Sequence, residues 1–316
     1  MKILFMGTPD FASYILEKLI KDKKHEVAAV VTQPDRPKGR SGEAVPSPVK
    51  VCATEYGIPV LQPMRVRDEG EAEALRSVGA DIFVVAAFGQ ILPPEVLAIP
   101  PRGCINVHAS LLPEYRGAAP IQWAIADGKA YTGVTIQRMN EGVDTGDIIS
   151  SVKVPIAEDE TGESLFEKLM HEGALLLAKT LDTIEKGEET YTPQDEAQAT
   201  YARILKKEMG YVDFSKTAKE TERLCRAFTP WPGTFTYLGG KLLKIKECHA
   251  GTGGGIPGTV VNVTKDEIVV ACSEGALSIT KVQSEGKKEM TVHDFLLGRS
   301  ITAGERLGRD AEDESR

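Results

Sequence analysis

The chain has 316 residues, 41% of them hydrophobic and 27% charged, and a net charge of −8. That length suits two domains rather than one small one, and the acidic balance confines any nucleic-acid contact to local basic patches. No apolar run reaches the roughly 18 residues that a membrane span needs, and five cysteines without a CxxC pair read as reduced cytosolic thiols, not as a zinc site.

Residues 1–7 are too short to be a secretory signal; residues 2–6 read instead as a buried parallel strand. The turn after Gly7 leads into a helix to about residue 21, and residues 27–32 complete a β–α–β unit. Such a unit invites a dinucleotide. Here, however, Gly7 is followed by Thr8, Pro9 and Asp10 where the dinucleotide motif needs two further glycines. The expectation is a nucleotide-fold scaffold without the nucleotide. Residues 33–50 form a long irregular insertion, where βα loops usually run about 2–6 residues. Arg36, Lys38 and Arg40 sit together in it, opposed only by Asp35 and Glu43, which on composition alone describes a solvated loop.

Ser47 can cap a helix reaching residue 56, with Pro48 at its first position. A short strand at 59–61 and a helix at 69–78 precede the unbroken apolar run 81–88, a strand buried on both faces. Residues 88–93 leave its carboxyl end. Residues 104–108 form the next strand, and its period of two sets Asn106 and His108 on one face. Ligands of open α/β sheets bind outside such strand ends, so both exits feed one crevice. An aromatic (Phe88) and the apolar pair Ile91–Leu92 suit a flat heteroaromatic there. An amide can donate to a developing oxyanion, and an imidazole can move a proton or share that donation. Taken alone, Asn-x-His is equally a capped strand with a satisfied histidine.

A rigid apolar turn at 111–113, Arg116–Gly117 and two alanines follow, then a helix at 122–126. Residues 132–138 alternate like a half-exposed strand, and Asp144 sits with Asp147 in a tight glycine loop, a place where aspartate is usually turn chemistry. A long amphipathic helix at 163–185 carries Leu165, Leu169, Leu176 and Ile184 toward a core. The polar stretch 188–202 reads as an interdomain linker. A helix at 217–228 and strands at 233–237, 241–246, 258–263, 267–272 and 276–280 then fit a small Greek-key barrel of the OB type. Lys206, Lys207, Lys241, Lys244, Lys246, Lys281, Lys287 and Lys288 scatter positive charge over this half, and the last eight residues are acidic.

Residues 108–120, followed by 132–136 and 142–147, resemble in order and spacing the 10-formyltetrahydrofolate-dependent formyltransferase family, and over nearly the full length its tRNA-acting members. The resemblance implies an α/β protein with a Rossmann-like catalytic domain at 1–189, a linker at 190–207, an OB-like tRNA-contacting barrel at 208–308 and a tail at 309–316. It assigns catalysis to Asn106, His108 and Asp144, leaving Asp147 structural. It assigns folate binding to Phe88, Gln90, Ile91, Leu92, Ser110, Leu111, Leu112 and Pro113, and tRNA binding to Arg36, Lys38, Arg40, Lys206 and Lys207. Arg40 best matches the family's key arginine, although Ser41, Gly42 and Glu43 depart from the most basic forms of that loop.

The implied reaction moves a formyl group from N10 of 10-formyltetrahydrofolate to the α-amino group of methionine esterified to initiator tRNA, for translation initiation in the cytoplasm. A monomer is expected. No metal is implied, since the donor already carries an activated formyl. Asp144 would position His108, whose starting role, base or acid, stays open at this level. The alternatives are a formyltransferase for a small amine such as a nucleotide-linked amino sugar, a formyltetrahydrofolate hydrolase, or a binding module that has lost chemistry. The basic loop at 36–40 discriminates, because a small acceptor has no use for it.

Overall fold

The computed structural model describes residues 1–37, 42 and 44–309. Lys38 and Arg40 of the expected tRNA set, and residues 310–316 of the expected tail, lie outside the described residues. The chain divides into two units. The first holds Met1–Pro120, Tyr131–Pro155 and Phe166–Ala202; the second holds Ile121–Ala130, Ile156–Leu165 and Arg203 onward. Among the described residues no helix is long and apolar enough to cross a membrane.

In chain order the elements up to residue 202 are β1 (Lys2–Gly7), α1 (Asp10–Asp22), β2 (Glu26–Val31), β3 (Arg36–Pro37), β4 (Ala44–Val45), α2 (Pro48–Glu55) and β5 (Val60–Leu61). There follow α3 (Glu71–Ser77), β6 (Ile82–Ala86), α4 (Pro94–Leu97), β7 (Cys104–His108), β8 (Arg116–Gly117) and α5 (Pro120–Ala126). Next come β9 (Tyr131–Arg138), β10 (Ile148–Pro155), α6 (Gly162–Lys186) and β11 (Tyr201–Ala202). Seven strands form one sheet in the order β10-β9-β7-β6-β1-β2-β5. β5, β2, β1, β6 and β7 run parallel, and β9 and β10 add two antiparallel pairings. The chain builds from β1 toward β5, then returns to β6 on the other side, so the strand order switches between β1 and β6. That is where ligands of open α/β sheets bind.

The core explains why these segments are strands. Every residue of β6, and all but the first of β1, is buried, as unbroken apolar runs covered on both faces require. Helix α1 buries Phe11, Ala12, Ile15, Leu16 and Leu19, one stripe at helical spacing. The Ser47 hydroxyl accepts from Lys50 N and starts α2 with Pro48 in the first turn. At the first turn a Cβ on Gly7 would lie 2.5 Å from Ala12 Cβ and 2.8 Å from Ala86 O, so this glycine serves close packing of helix and strand.

Two expectations need correction, and one strand was not foreseen. β9 is not half exposed: Thr132 to Gln137 are all buried, because its polar residues are used inside the protein. Ser150, Ser151 and Lys153 hide β10 from a pattern search; it is the polar edge strand beyond β9. Residues 190–202 do not hang between units. Thr192 pairs with Ile148, and β11 pairs in parallel with β8, which seats this segment in the first unit.

The second unit is built on α7 (Ala218–Ala227), β12 (Thr234–Leu238), β13 (Lys241–Gly251), β14 (Val260–Val263), β15 (Ile268–Ala271), β16 (Ala276–Ser284), β17 (Met290–Thr291) and α8 (Val292–Leu297). Its sheet runs β12-β13-β16-β15-β14, with β17 beside β16, and the return of β16 to β13 makes a Greek key. Arg306 pairs with Thr259 and Leu307 with Leu238, so the segment after α8 bridges the two open edges and closes a small barrel. Leu243, Ile245, Val260, Ile268, Val270, Leu277, Ile279 and Val282 fill it. Thr217 and Glu220 form a capping box that starts α7.

Candidate active site

β7 delivers Asn106 and His108 at the carboxyl end of the sheet, and the loop between β9 and β10 brings Asp144 to them. The Asn106 Nδ2 donates to Asp144 Oδ1 at 3.3 Å, and His108 Nδ1 lies 3.6 Å from Asp144 Oδ2. Two more donors hold the carboxylate: Gln137 Nε2 to Oδ1 at 2.9 Å and Gly117 N to Oδ2 at 2.8 Å. Asp144 sits at φ 53°, a left-handed conformation that costs an L residue about 1 kcal/mol and persists only where its surroundings fix it. His108 is buried, with Nε2 2.9 Å from the Tyr115 carbonyl. A carbonyl only accepts, so Nε2 carries a hydrogen and Nδ1, facing Asp144, is the ring nitrogen left to accept one.

The turn between β7 and β8 is held from β9. Thr135 Oγ1 donates to Ser110 O at 2.7 Å and accepts from Leu112 N at 3.1 Å, while Ser110 Oγ donates to Glu114 O at 2.6 Å. Ser110 and Leu112 are buried and Leu111 packs at Gly133, so most of this turn's side chains set its shape.

The arginine of this stretch turns inward. Arg116 is 0% exposed; its guanidinium donates to Gln194 Oε1 from Nε and Nη2, at 3.0 and 2.9 Å, and to both Glu196 carboxylate oxygens, at 2.9 and 2.7 Å. Arg116 in turn holds the Glu196 carboxyl below its usual range, and Glu196 raises the guanidinium's. Gln194 Nε2 donates onward to Asp144 O at 2.9 Å and Gly146 O at 2.7 Å. Gln137, Gln194 and Arg116 are thus part of the site's framework. Residue type alone gives glutamine no such signal, and Arg116 read merely as part of a motif.

The expected folate set splits. Phe88 and Leu92 are buried in the sheet's core, whereas Gln90 and Ile91 line a cleft of about 300 Å³ together with Gln33, Arg36, Met64, Arg65, Arg67 and Gly89. Gln90 ties the walls together: its Oε1 accepts from Val66 N at 2.7 Å. Gln33 Nε2 donates to Phe88 O at 3.3 Å, and its Oε1 accepts from Arg36 at 3.2 Å. Ile91 and Met64 are 72% and 75% exposed, an apolar rim beside three guanidinium groups. Asn106, His108 and Asp144 do not line this cleft. It opens after β2, β5 and β6, and β6 lies next to β7, with Val85 paired to Asn106. Lys206 and Lys207, of the expected tRNA set, are exposed in the second unit, at the turn Lys207–Gly210. Among the described residues no group of three or more His, Cys, Asp or Glu side chains is set to hold a metal ion.

Residues 1–181 match the formyl transferase family, and residues 204–300 match the formyl transferase C-terminal domain. A methionyl-tRNA formyltransferase of Lachnospira eligens is 51% identical over 315 residues, covering 98% of this chain and 100% of its own. One from Geotalea daltonii is 49% identical over 308 residues, covering 98% of each. Solved structures share the fold at lower identity. HypX from Aquifex aeolicus in complex with tetrahydrofolic acid aligns at TM-score 0.64 and 20% identity over 94% of this chain and 47% of its own. The sugar 3N-formyl transferase WlaRD, in the presence of dTDP and 5-N-formyl-THF, aligns at 0.66 and 20% over 91% and 99%. The chain belongs to the formyl transferase family, and within it to the methionyl-tRNA formyltransferases.

Proposed function

We propose that the protein transfers the formyl group of 10-formyltetrahydrofolate to the α-amino group of methionyl initiator tRNA, and that Asn106, His108 and Asp144 carry the reaction. The observation behind the assignment is the meeting of three side chains from two segments: Asp144 lies 3.3 Å from the Asn106 amide and 3.6 Å from His108 Nδ1. The amine nitrogen attacks the formyl carbon, giving a tetrahedral centre with an oxyanion. Asn106 has a second N–H with no partner among the described residues, and it donates to that oxygen. The attacking nitrogen gives its proton to His108 Nδ1, beside Asp144. The carbon–N10 bond then breaks, and that proton passes to N10. His108 Nε2 stays on Tyr115 O throughout, which keeps the ring's orientation fixed.

Gln90 and Ile91 border the folate at the mouth of the cleft, where Arg65 and Arg67 suit the donor's glutamate carboxylates. The first unit, which extends through Ala202, acts as the catalytic domain, and 208–308 carry the body of the tRNA, with Arg36, Lys206 and Lys207 on its phosphates. One chain supplies all three catalytic side chains, so a monomer suffices. All five cysteines are free and buried, as in a cytoplasmic protein. The test offers donor with either charged initiator tRNA or free methionine. Transfer to the tRNA-borne amine alone, weakening steeply as salt rises, is the expected result. Equal transfer to free methionine, or to an amino sugar, would overturn it.

A further inference from the structure

We propose that Gln194, on the segment that leads out of the first unit, is a positioning residue that holds Asp144 in its catalytic conformation; this rests on the assignment of Asp144 above. Gln194 touches no reacting atom. Its Nε2 donates to Asp144 O at 2.9 Å and to Gly146 O at 2.7 Å, two carbonyls of the loop that presents the carboxylate. Gln137 clasps the same loop from β9, donating to Asp144 Oδ1 and accepting from Gly146 N at 3.1 Å. The loop needs such clasps, because Asp144 sits at φ 53° and a relaxed backbone would turn its carboxylate away from Asn106 and His108.

The far end of Gln194 is anchored. Its Oε1 takes two hydrogen bonds from Arg116, whose fully buried guanidinium also grips Glu196 on the same segment. Pairing of Tyr201 and Ala202 with Arg116 and Gly117 completes the seat. A strap joining α6 to the second unit therefore sets the geometry of a catalytic group about fifty residues earlier in the chain.

The test uses the full chain and single-turnover formyl transfer. Gln194→Glu keeps an acceptor for Arg116 but loses both donations to the loop, so it separates anchoring from clasping; Gln194→Ala loses both. Each should slow transfer by about 10- to 100-fold, with KM for donor and for charged tRNA within about two-fold of wild type. In an Asp144→Asn background neither should slow transfer further, because Gln194 acts through that residue. A wild-type rate for Gln194→Glu, or the same fold-loss in both backgrounds, would overturn the proposal alone. A wild-type rate for Asp144→Asn would instead overturn the catalytic assignment, and the proposal with it.

Discussion

The Asp144 carboxylate accepts hydrogen bonds from Asn106, Gln137 and Gly117 while facing His108. In the proposed reaction a carboxylate so occupied serves as an orienting charge and leaves the proton to His108 Nδ1. Asn106 has a different part in that proposed reaction: one N–H orients it against Asp144 and the other meets the oxyanion. Removing one such donor typically costs about 3–4 kcal/mol of transition-state stabilisation. Asn106→Ala should therefore lower kcat by about 10²- to 10³-fold while KM for the folate donor stays within about two-fold, read from steady-state kinetics. A raised KM with normal turnover would make Asn106 a binding residue instead.

At the scale of elements, the pairing of β8 with β11 is the join on which the site depends. Gly117 has φ +106°, and a Cβ there would lie 2.9 Å from Ala202 O. Gly117→Ala should thus both strain the backbone and push the strap away, destabilising the fold by about 1–2 kcal/mol and slowing transfer; thermal melting and turnover measure the two. The anchor also titrates. Because Arg116 holds the Glu196 carboxyl below its usual value, the pair's contribution is complete above about pH 4.5 and is lost as pH falls through the lower, folded value. Glu196→Gln should remove that part of the acid-side fall in melting temperature while leaving the rest of the profile; an unchanged acid limb would contradict it.

Much of this was legible in the chain. Apolar runs marked β1, β6 and β7, and a hydroxyl cap marked the start of α2. That Asn106, His108 and Asp144 belong together came from motif order, and the structure brings the three side chains to one place. The strap was not, since 190–202 is polar and its contacts reach some 50 to 85 residues back without any periodic pattern. Burial of Thr135 and Gln137 on β9 was equally hidden: a polar residue inside looks the same in a sequence as one facing water.

For the whole molecule, a chain of net charge −8 with a polyanionic substrate must confine its attraction to chosen places. Arg36 stands at a cleft of the first unit, and Lys206 and Lys207 stand at the start of the second. The last passage from the first unit to the second runs through the strap, so in the proposed arrangement the polypeptide that leads to the barrel also steadies Asp144. The central claim is that Asn106, His108 and Asp144 act as one unit on a single carbonyl. Single-turnover transfer to methionyl initiator tRNA by Asn106→Ala, Asp144→Asn and the double variant tests it most directly. Each single change should slow transfer at least about 100-fold with donor affinity intact, and the double variant should be little slower than the worse single. Losses that multiply in the double variant, or a wild-type rate in either single, would contradict it.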